Sequence, residues 1–350
     1  MYELTSKSPD SEIPLMDSDI LDSEKLAEVY DVVSDDFLVV NDLIPKMLSS
    51  EVELVEDIGS YIVKAGGKRF RPLLVLLTSG LFNTKNMNAN KLAIVIEFLH
   101  TATLLHDDVV DKSALRGGRL TANEKWGNPP SVLVGDFLYS RAFQLMVEIG
   151  NLNVMKILSD ATNLIAEGEV MQLANLGNFS LSVDSYRAVI NCKTALLFES
   201  ANHSAGVLAM SNSPTVNKEH VASIRSYGHH FGMAYQLIDD LLDYVGDKSI
   251  MGKNTGDDLS EGKLTLPIIL ALTKTSGKEK DTLLYALKQK SSVNMEEIVE
   301  IITKSGAIED TRKAALHEIQ QARRHLLNLP ENEYRCALES LTDYSANRIF

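Results

Sequence analysis

The sequence predicts an all-α protein, a large single-domain helical bundle, and three observations carry that expectation. The chain has 350 residues of which 45% are hydrophobic, enough to bury a large core. Apolar residues recur at helical spacing, as at Leu92, Val95, Ile96 and Leu99, and again at Val132, Leu133, Phe137, Leu138, Phe143 and Met146. Alternating strand patterns flanked by hairpin turns are scarce, and glycine and proline fall mostly between the periodic runs.

The elements follow in order. Residues 1–25 are acidic, polar and proline-bearing, without the basic start and apolar run of a signal peptide, and are expected to be a mobile leader. Residues 26–350 read as one all-helical domain of about a dozen helices, with no linker and no repeat of solenoid length. A basic, glycine-loosened loop, GGKRFRP (Gly66 to Pro72), enters an apolar run. Helical breaks are expected at Gly117 and Gly118, at Gly127 to Pro130, at Gly177, at Pro214 and from Gly246 to Gly262.

Charge and composition exclude several classes. The net charge of -14 leaves nothing basic to neutralise a nucleic-acid lattice or an anionic membrane, so any phosphate must be met locally. The two cysteines, Cys192 and Cys336, are far apart and lack metal-ligand spacing, which suits a reducing cytoplasm. The longest apolar runs, PLLVLLTSGLF and KLTLPIILAL, stop well short of the roughly 20 residues a spanning helix needs.

The chemistry concentrates in an internal echo. Asp107, Asp108 and Asp111 are spaced i, i+1, i+4, and so are Asp239, Asp240 and Asp243, in the apolar runs TATLLHDDVVD and AYQLIDDLLD. On a helix such a trio brings like charges onto one face, which costs stability unless that face meets open water or cations. Carboxylates without thiolates suit magnesium, a hard cation that bridges a few carboxylates to substrate phosphates. Two facing helices would make a magnesium clamp for a diphosphate. Cations lie close by in sequence: Lys68, Arg69 and Arg71 on the glycine-loosened loop, Arg116 and Arg119 after the first trio, Lys253 and Lys263 after the second.

Two other motifs fail. Gly246 to Lys253 and Gly256 to Lys263 resemble a nucleotide P-loop, but each has five residues between its glycines and neither lysine precedes Ser or Thr. His100, His106 and Asp107 could form a histidine–aspartate metal site of the phosphohydrolase kind, which would leave the second trio unemployed.

HDDVVD and IDDLLD resemble the two aspartate-rich motifs of the trans-isoprenyl diphosphate synthases, and GGKRFRP is similar to that family's N-terminal basic motif; IEFLHTATLLHDDVVD, SVLVGDFLYSRAFQ, IAEGEV and FGMAYQLIDDLLDY resemble its long-chain bacterial members. The resemblance is dense over residues 50–275. It implies an all-α bundle of the isoprenoid synthase type with a central active-site cavity, usually a homodimer, that adds isopentenyl diphosphate repeatedly to an allylic diphosphate, here farnesyl, for a quinone side chain. By motif position, Lys68, Arg71 and His100 would hold isopentenyl diphosphate. Asp107, Asp108, Asp111, Asp239, Asp240 and Asp243 would coordinate Mg2+. Arg116, Lys193, Thr194, Gln236, Lys253 and Lys263 would hold the allylic diphosphate, with Lys193 and Lys253 also assisting its ionisation. Tyr235 stands where the family commonly has Phe.

Ala102, five residues before the first trio and roughly 7 Å along the helix, stands where a family aromatic closes the pocket on short products. A small residue there implies long ones, with Leu99, Phe143 or Met146 as a deeper floor or as ordinary core. The chain departs from the family at Gly117, which replaces the second of two adjacent arginines; Arg119 is the nearest substitute. Two alternatives remain at this point: a catalytically impaired partner subunit of a heteromeric synthase, and a cyclase or head-to-head synthase, in which GGKRFRP would be idle.

Overall fold

The computed structural model describes residues 17–64, 67–246, 256–289 and 295–348. In chain order the helices are α1 (Asp17–Asp31), α2 (Ser34–Met47), α3 (Glu53–Lys64), α4 (Phe70–Leu81) and α5 (Met87–Val110). A hairpin of β1 (Leu115–Arg116) and β2 (Arg119–Leu120) precedes α6 (Ala122–Trp126), α7 (Asn128–Ile149), α8 (Leu152–Ala174) and α9 (Val183–Ile190). A π-turn over Asn191–Ala195 leads into α10 (Leu196–Asn212) and the long α11 (Lys218–Val245). The chain closes with α12 (Asp257–Glu261), α13 (Leu266–Lys274), α14 (Gly277–Gln289), α15 (Met295–Lys304), α16 (Ala307–Leu326) and α17 (Glu333–Asn347). The fold is all-α, as the periodicity predicts, with more and shorter helices than a dozen among the described residues because glycine and proline divide the C-terminal third.

Helix α1 begins at Asp17, inside the stretch expected to be a leader. Leu26, Val29, Tyr30 and Val33 recur at helical spacing and join the core, and α1 packs on α17.

Two bodies of core set the stage. The first is built from α2, α4, α5, α7 and α10; in α4 every residue but Arg71 is buried. The second gathers the C-terminal half of α11 with α9 and residues of α12 to α16. Helix α5 packs on α7 and α4, and α11 packs on α10 and α16. The approach of α11 to its neighbours depends on two glycines one turn apart. A Cβ at Gly228 would lie 2.7 Å from the Phe198 carbonyl, and one at Gly232 would lie 2.6 Å from Ala195 Cα. Side chains there would push the second trio away from the π-turn.

Candidate active site

Both aspartate trios sit at helix C-termini. Asp107 and Asp108 end α5 with Asp111 as its C-cap, and Asp239, Asp240 and Asp243 occupy the last two turns of α11. A helix C-terminus carries partial negative charge, so carboxylates there are doubly unfavourable unless cations answer them. The structure supplies those cations.

Arg116, on the hairpin, donates from Nε and Nη2 to the single oxygen Oδ1 of buried Asp108, at 3.0 and 2.7 Å. Lys263 Nζ lies 2.8 Å from Asp111 Oδ2 and 2.5 Å from Glu261. Lys193 Nζ stands 3.9 Å from Asp107 and 3.1 Å from Glu169 on α8. Burial pushes the Asp107 carboxyl up to about 6, with Lys193 opposing and Glu169 and Asp111 adding to the rise. The site therefore holds negative charge under tension and favours any further cation.

The second trio is held differently at each position. Asp239 receives Arg348 Nη2 at 2.8 Å. Asp240 is buried; the Tyr186 hydroxyl donates to Oδ2 at 2.5 Å and Gln236 Nε2 to Oδ1 at 2.6 Å. Burial, followed by repulsion from Asp258, raises the Asp240 carboxyl far above the ordinary range. Asp243 accepts the Gly256 N–H on its carbonyl and the Asp258 N–H on its carboxylate. Each trio thus divides its carboxylates between buried and partly open positions instead of presenting three equal ligands.

The π-turn explains Lys193 and Thr194. Its wider turn carries both residues, as such bulges often do at functional positions. Thr194 Oγ1 donates to Gln236 Oε1 at 2.6 Å, which links the π-turn through Gln236 to Asp240. Lys193, Gln236, Asp240 and Lys263 share a cavity of about 110 Å³ whose other wall is apolar, with Leu176, Leu181, Val189 and Ile190.

A second cavity of about 220 Å³ collects Lys68, Arg71 and His100 with Arg69, Glu97, Thr101, Phe198 and Tyr235. The Arg71 guanidinium lies 4.1 Å from the Phe198 ring centre, and its Nη1 is 3.2 Å from His100 Nε2. Arginine only donates, so His100 accepts through Nε2. Burial and the adjacent Arg71 hold that imidazole neutral. Lys68 donates to the Tyr344 hydroxyl of α17 and lies 4.8 Å from the centre of its ring. Arg69 is turned to the scaffold, toward Asn41, the Val63 carbonyl and Glu97.

The alternative histidine site does not assemble. His106 points to α7, with Nε2 3.1 Å from the Val132 carbonyl and the ring stacked on Tyr139. Among the described residues no three His, Cys, Asp or Glu side chains form a ready metal cage. Magnesium does not need one, because it keeps waters and takes one or two carboxylates plus substrate phosphates. The all-oxygen donors Asp107, Asp111 and Asp239 fit that requirement.

The structure brings together the trios, Lys193, Thr194, Gln236 and Lys263 on one side and Lys68, Arg71 and His100 on the other. Lys253 lies outside the described residues. Ala102 is fully buried, with Leu99 and Met146 beside it in the core, whereas Phe143 is 39% exposed. Sequence reasoning missed Glu97, Glu169, Tyr186 and Arg348 as neighbours of the site. Glu97 carried a signal, a charge in the otherwise apolar run IVIEFL, and Glu169 lies in the quoted segment IAEGEV; Tyr186 and Arg348 reach the site only through tertiary packing.

A polyprenyl synthetase family model matches residues 52–304. The chain belongs to this family. That makes it a prenyltransferase, and both cavities fall in the matched region. An all-trans-nonaprenyl-diphosphate synthase (geranyl-diphosphate specific) of Rhodobacter capsulatus is 43% identical over 91% of this chain and 96% of its own length. Octaprenyl diphosphate synthase of Escherichia coli K12 is 41% identical over 92% and 99%. A polyprenyl synthase from Caulobacter crescentus, crystallised with calcium and isoprenyl diphosphate, superposes with a TM-score of 0.87 at 39% identity, covering 92% of this chain and 97% of that one. Among the described residues no helix of this family member is long and apolar enough to cross a membrane.

Proposed function

We propose that this chain, a long-chain polyprenyl diphosphate synthase by its family, adds isopentenyl diphosphate repeatedly to farnesyl diphosphate and releases an all-trans product of about C40 for a quinone side chain. It works with Mg2+ and as a cytoplasmic homodimer. The observation that carries the reading is the pair of cation-lined cavities flanking the two trios: one with Lys68, Arg71 and His100, the other with Lys193, Gln236 and Lys263.

The residues divide the work. Lys68 and Arg71 bind the diphosphate of isopentenyl diphosphate, and neutral His100 keeps Arg71 turned into that cavity. Arg116, Lys193, Thr194, Gln236, Lys253 and Lys263 hold the allylic diphosphate. Asp107, Asp111 and Asp239, with Asp108, Asp240 and Asp243 completing the two trios, would hold Mg2+, which when bound would supply Lewis-acid neutralisation of the diphosphate. Lys193 and Lys263 stabilise the same developing charge. The apolar walls around Leu176, Val189 and Ile190 exclude water from the allylic cation, and the isopentenyl double bond, held in the neighbouring cavity, attacks it.

Incubation with Mg2+, farnesyl diphosphate and labelled isopentenyl diphosphate, followed by sizing of the dephosphorylated products, tests the reading. A ladder ending near C40 supports it. No elongation by the isolated chain would return the partner-subunit alternative, and preference for a geranyl starter would move it toward the Rhodobacter relative.

A further inference from the structure

We infer that Glu97 is a positioning residue for isopentenyl diphosphate, holding the guanidinium groups of Arg69 and Arg71 in register from inside their own cavity. The inference rests on the function proposed above. Glu97 is the single carboxylate among the residues lining that cavity, in the company of Lys68, Arg69, Arg71 and His100.

A carboxylate in a pocket for a diphosphate opposes its ligand, so its presence calls for a reason. Three observations supply one. Glu97 Oε1 lies 3.7 Å from Arg69 Nε, both side chains being largely buried. Glu97 Oε2 is buried with no hydrogen-bond partner among the described residues, and so is Arg71 Nε. One orphan is an acceptor and the other a donor, in the same cavity. Buried polar groups are nearly always paired, and an unpaired charged oxygen is the costlier kind.

The two orphans complement each other. With the pocket empty, three cations repel and Glu97 is their counter-charge. When a diphosphate draws the Arg71 fork toward itself, Nε turns to Glu97 Oε2 and the pair closes. His100 Nε2 meanwhile fixes Nη1 at the other edge of the guanidinium. Arg71 would thus be oriented from two sides, as a planar fork must be to bind phosphate oxygens bidentately. Glu97 touches no reacting atom.

The test separates positioning from mere stability. Glu97→Gln should raise the KM for isopentenyl diphosphate about ten- to a hundredfold, the equivalent of one charge-assisted hydrogen bond. It should leave kcat and the KM for the allylic diphosphate within about threefold. Glu97→Asp, which keeps the charge one methylene back, should show a smaller rise of the same kind. Calorimetric titration of isopentenyl diphosphate into the protein without allylic substrate should show the same ranking of affinities. Equal affinities for wild type and a folded Glu97→Gln, or equal rises in both KM values, would overturn the inference. If Glu97→Gln does not fold, Glu97→Asp decides by the same criterion. A wild-type chain that binds no isopentenyl diphosphate would overturn the proposed function instead.

Discussion

Lys263 Nζ lies 2.8 Å from Asp111 Oδ2, although 152 positions separate the two residues. A lysine that follows the second trio thus neutralises the last carboxylate of the first, and the two halves of the site are locked as one unit. Asp111 and Glu261 together push the Lys263 amine up against the opposing effect of burial, so it stays charged at every working pH. Lys263→Met should lower kcat/KM for the allylic diphosphate about ten- to a hundredfold, from one lost charge-assisted hydrogen bond. The KM for isopentenyl diphosphate should barely move, because Lys68 and Arg71 line a different cavity. Steady-state kinetics with each substrate varied in turn checks this; equal losses for both would show that the cavities are not independent.

Gly117 has a conformational reason as well as a chemical one. Gly117 and Gly118 have φ of +55° and +74° at the tip of the hairpin that carries Arg116, the signature of a turn with both central residues left-handed. Nothing lies within 4 Å of a Cβ added at Gly117, so Gly117→Arg meets no clash. Its cost is backbone strain alone, about 1 kcal/mol, and it should fold with a slightly lower unfolding midpoint in urea. If the KM for isopentenyl diphosphate falls severalfold in this variant, the native chain works without the arginine contact that the family resemblance implies at this position. If the KM is unchanged, Arg119, paired across the hairpin from Arg116, already serves.

How much of this was legible depends on whether a contact is local. The trios, the basic loop and the all-α class are written as spacings within one helix or loop, and periodicity exposes them. The π-turn that carries Lys193 and Thr194 was not legible, since NCKTA has no feature that separates it from an α-helical turn. Nor was the unequal fate of the carboxylates: i, i+1, i+4 spacing treats Asp239 and Asp240 as adjacent equals, while Tyr186, 54 positions away, decides that Asp240 is buried. The packing of α1 on α17 was hidden for the same reason, because the two helices are far apart in sequence.

Ala102 tests the reading of chain length. It is fully buried, and neither of the two cavities described touches it, so the growing chain must displace neighbours or follow the α5 face beside it. Ala102→Tyr should shorten the product to the short-chain range and cost about 1–3 kcal/mol of stability from overpacking. Chromatographic sizing of the dephosphorylated products and a thermal unfolding scan read the two effects separately. An unchanged length in a folded variant would remove Ala102 from the chain-length machinery and leave it as packing.

Glu318 predicts how the fold responds to acid, away from the site. Its side chain is 3% exposed and receives Arg187 on one oxygen and His230 Nδ1 on the other at 2.7 Å; His325 stacks on His230 with ring centres 5.5 Å apart. Burial alone would raise this carboxyl, but the bonds from His230 and Arg187 outweigh it and the net shift is downward from 4.5. A carboxyl depressed in the folded state gives stability that is fully present above its ordinary value and lost as pH falls through the folded one. Glu318→Gln leaves Arg187 and His230, both partly open to solvent, against a neutral amide, which should cost about 1–3 kcal/mol at pH 7, the loss of charge-assisted hydrogen bonds. The gap in urea midpoint between wild type and Glu318→Gln should therefore narrow as pH drops below 4.5. A gap that stays constant from neutral pH into the acid range would mean that the carboxylate charge contributes nothing and that the side chain acts only by filling space.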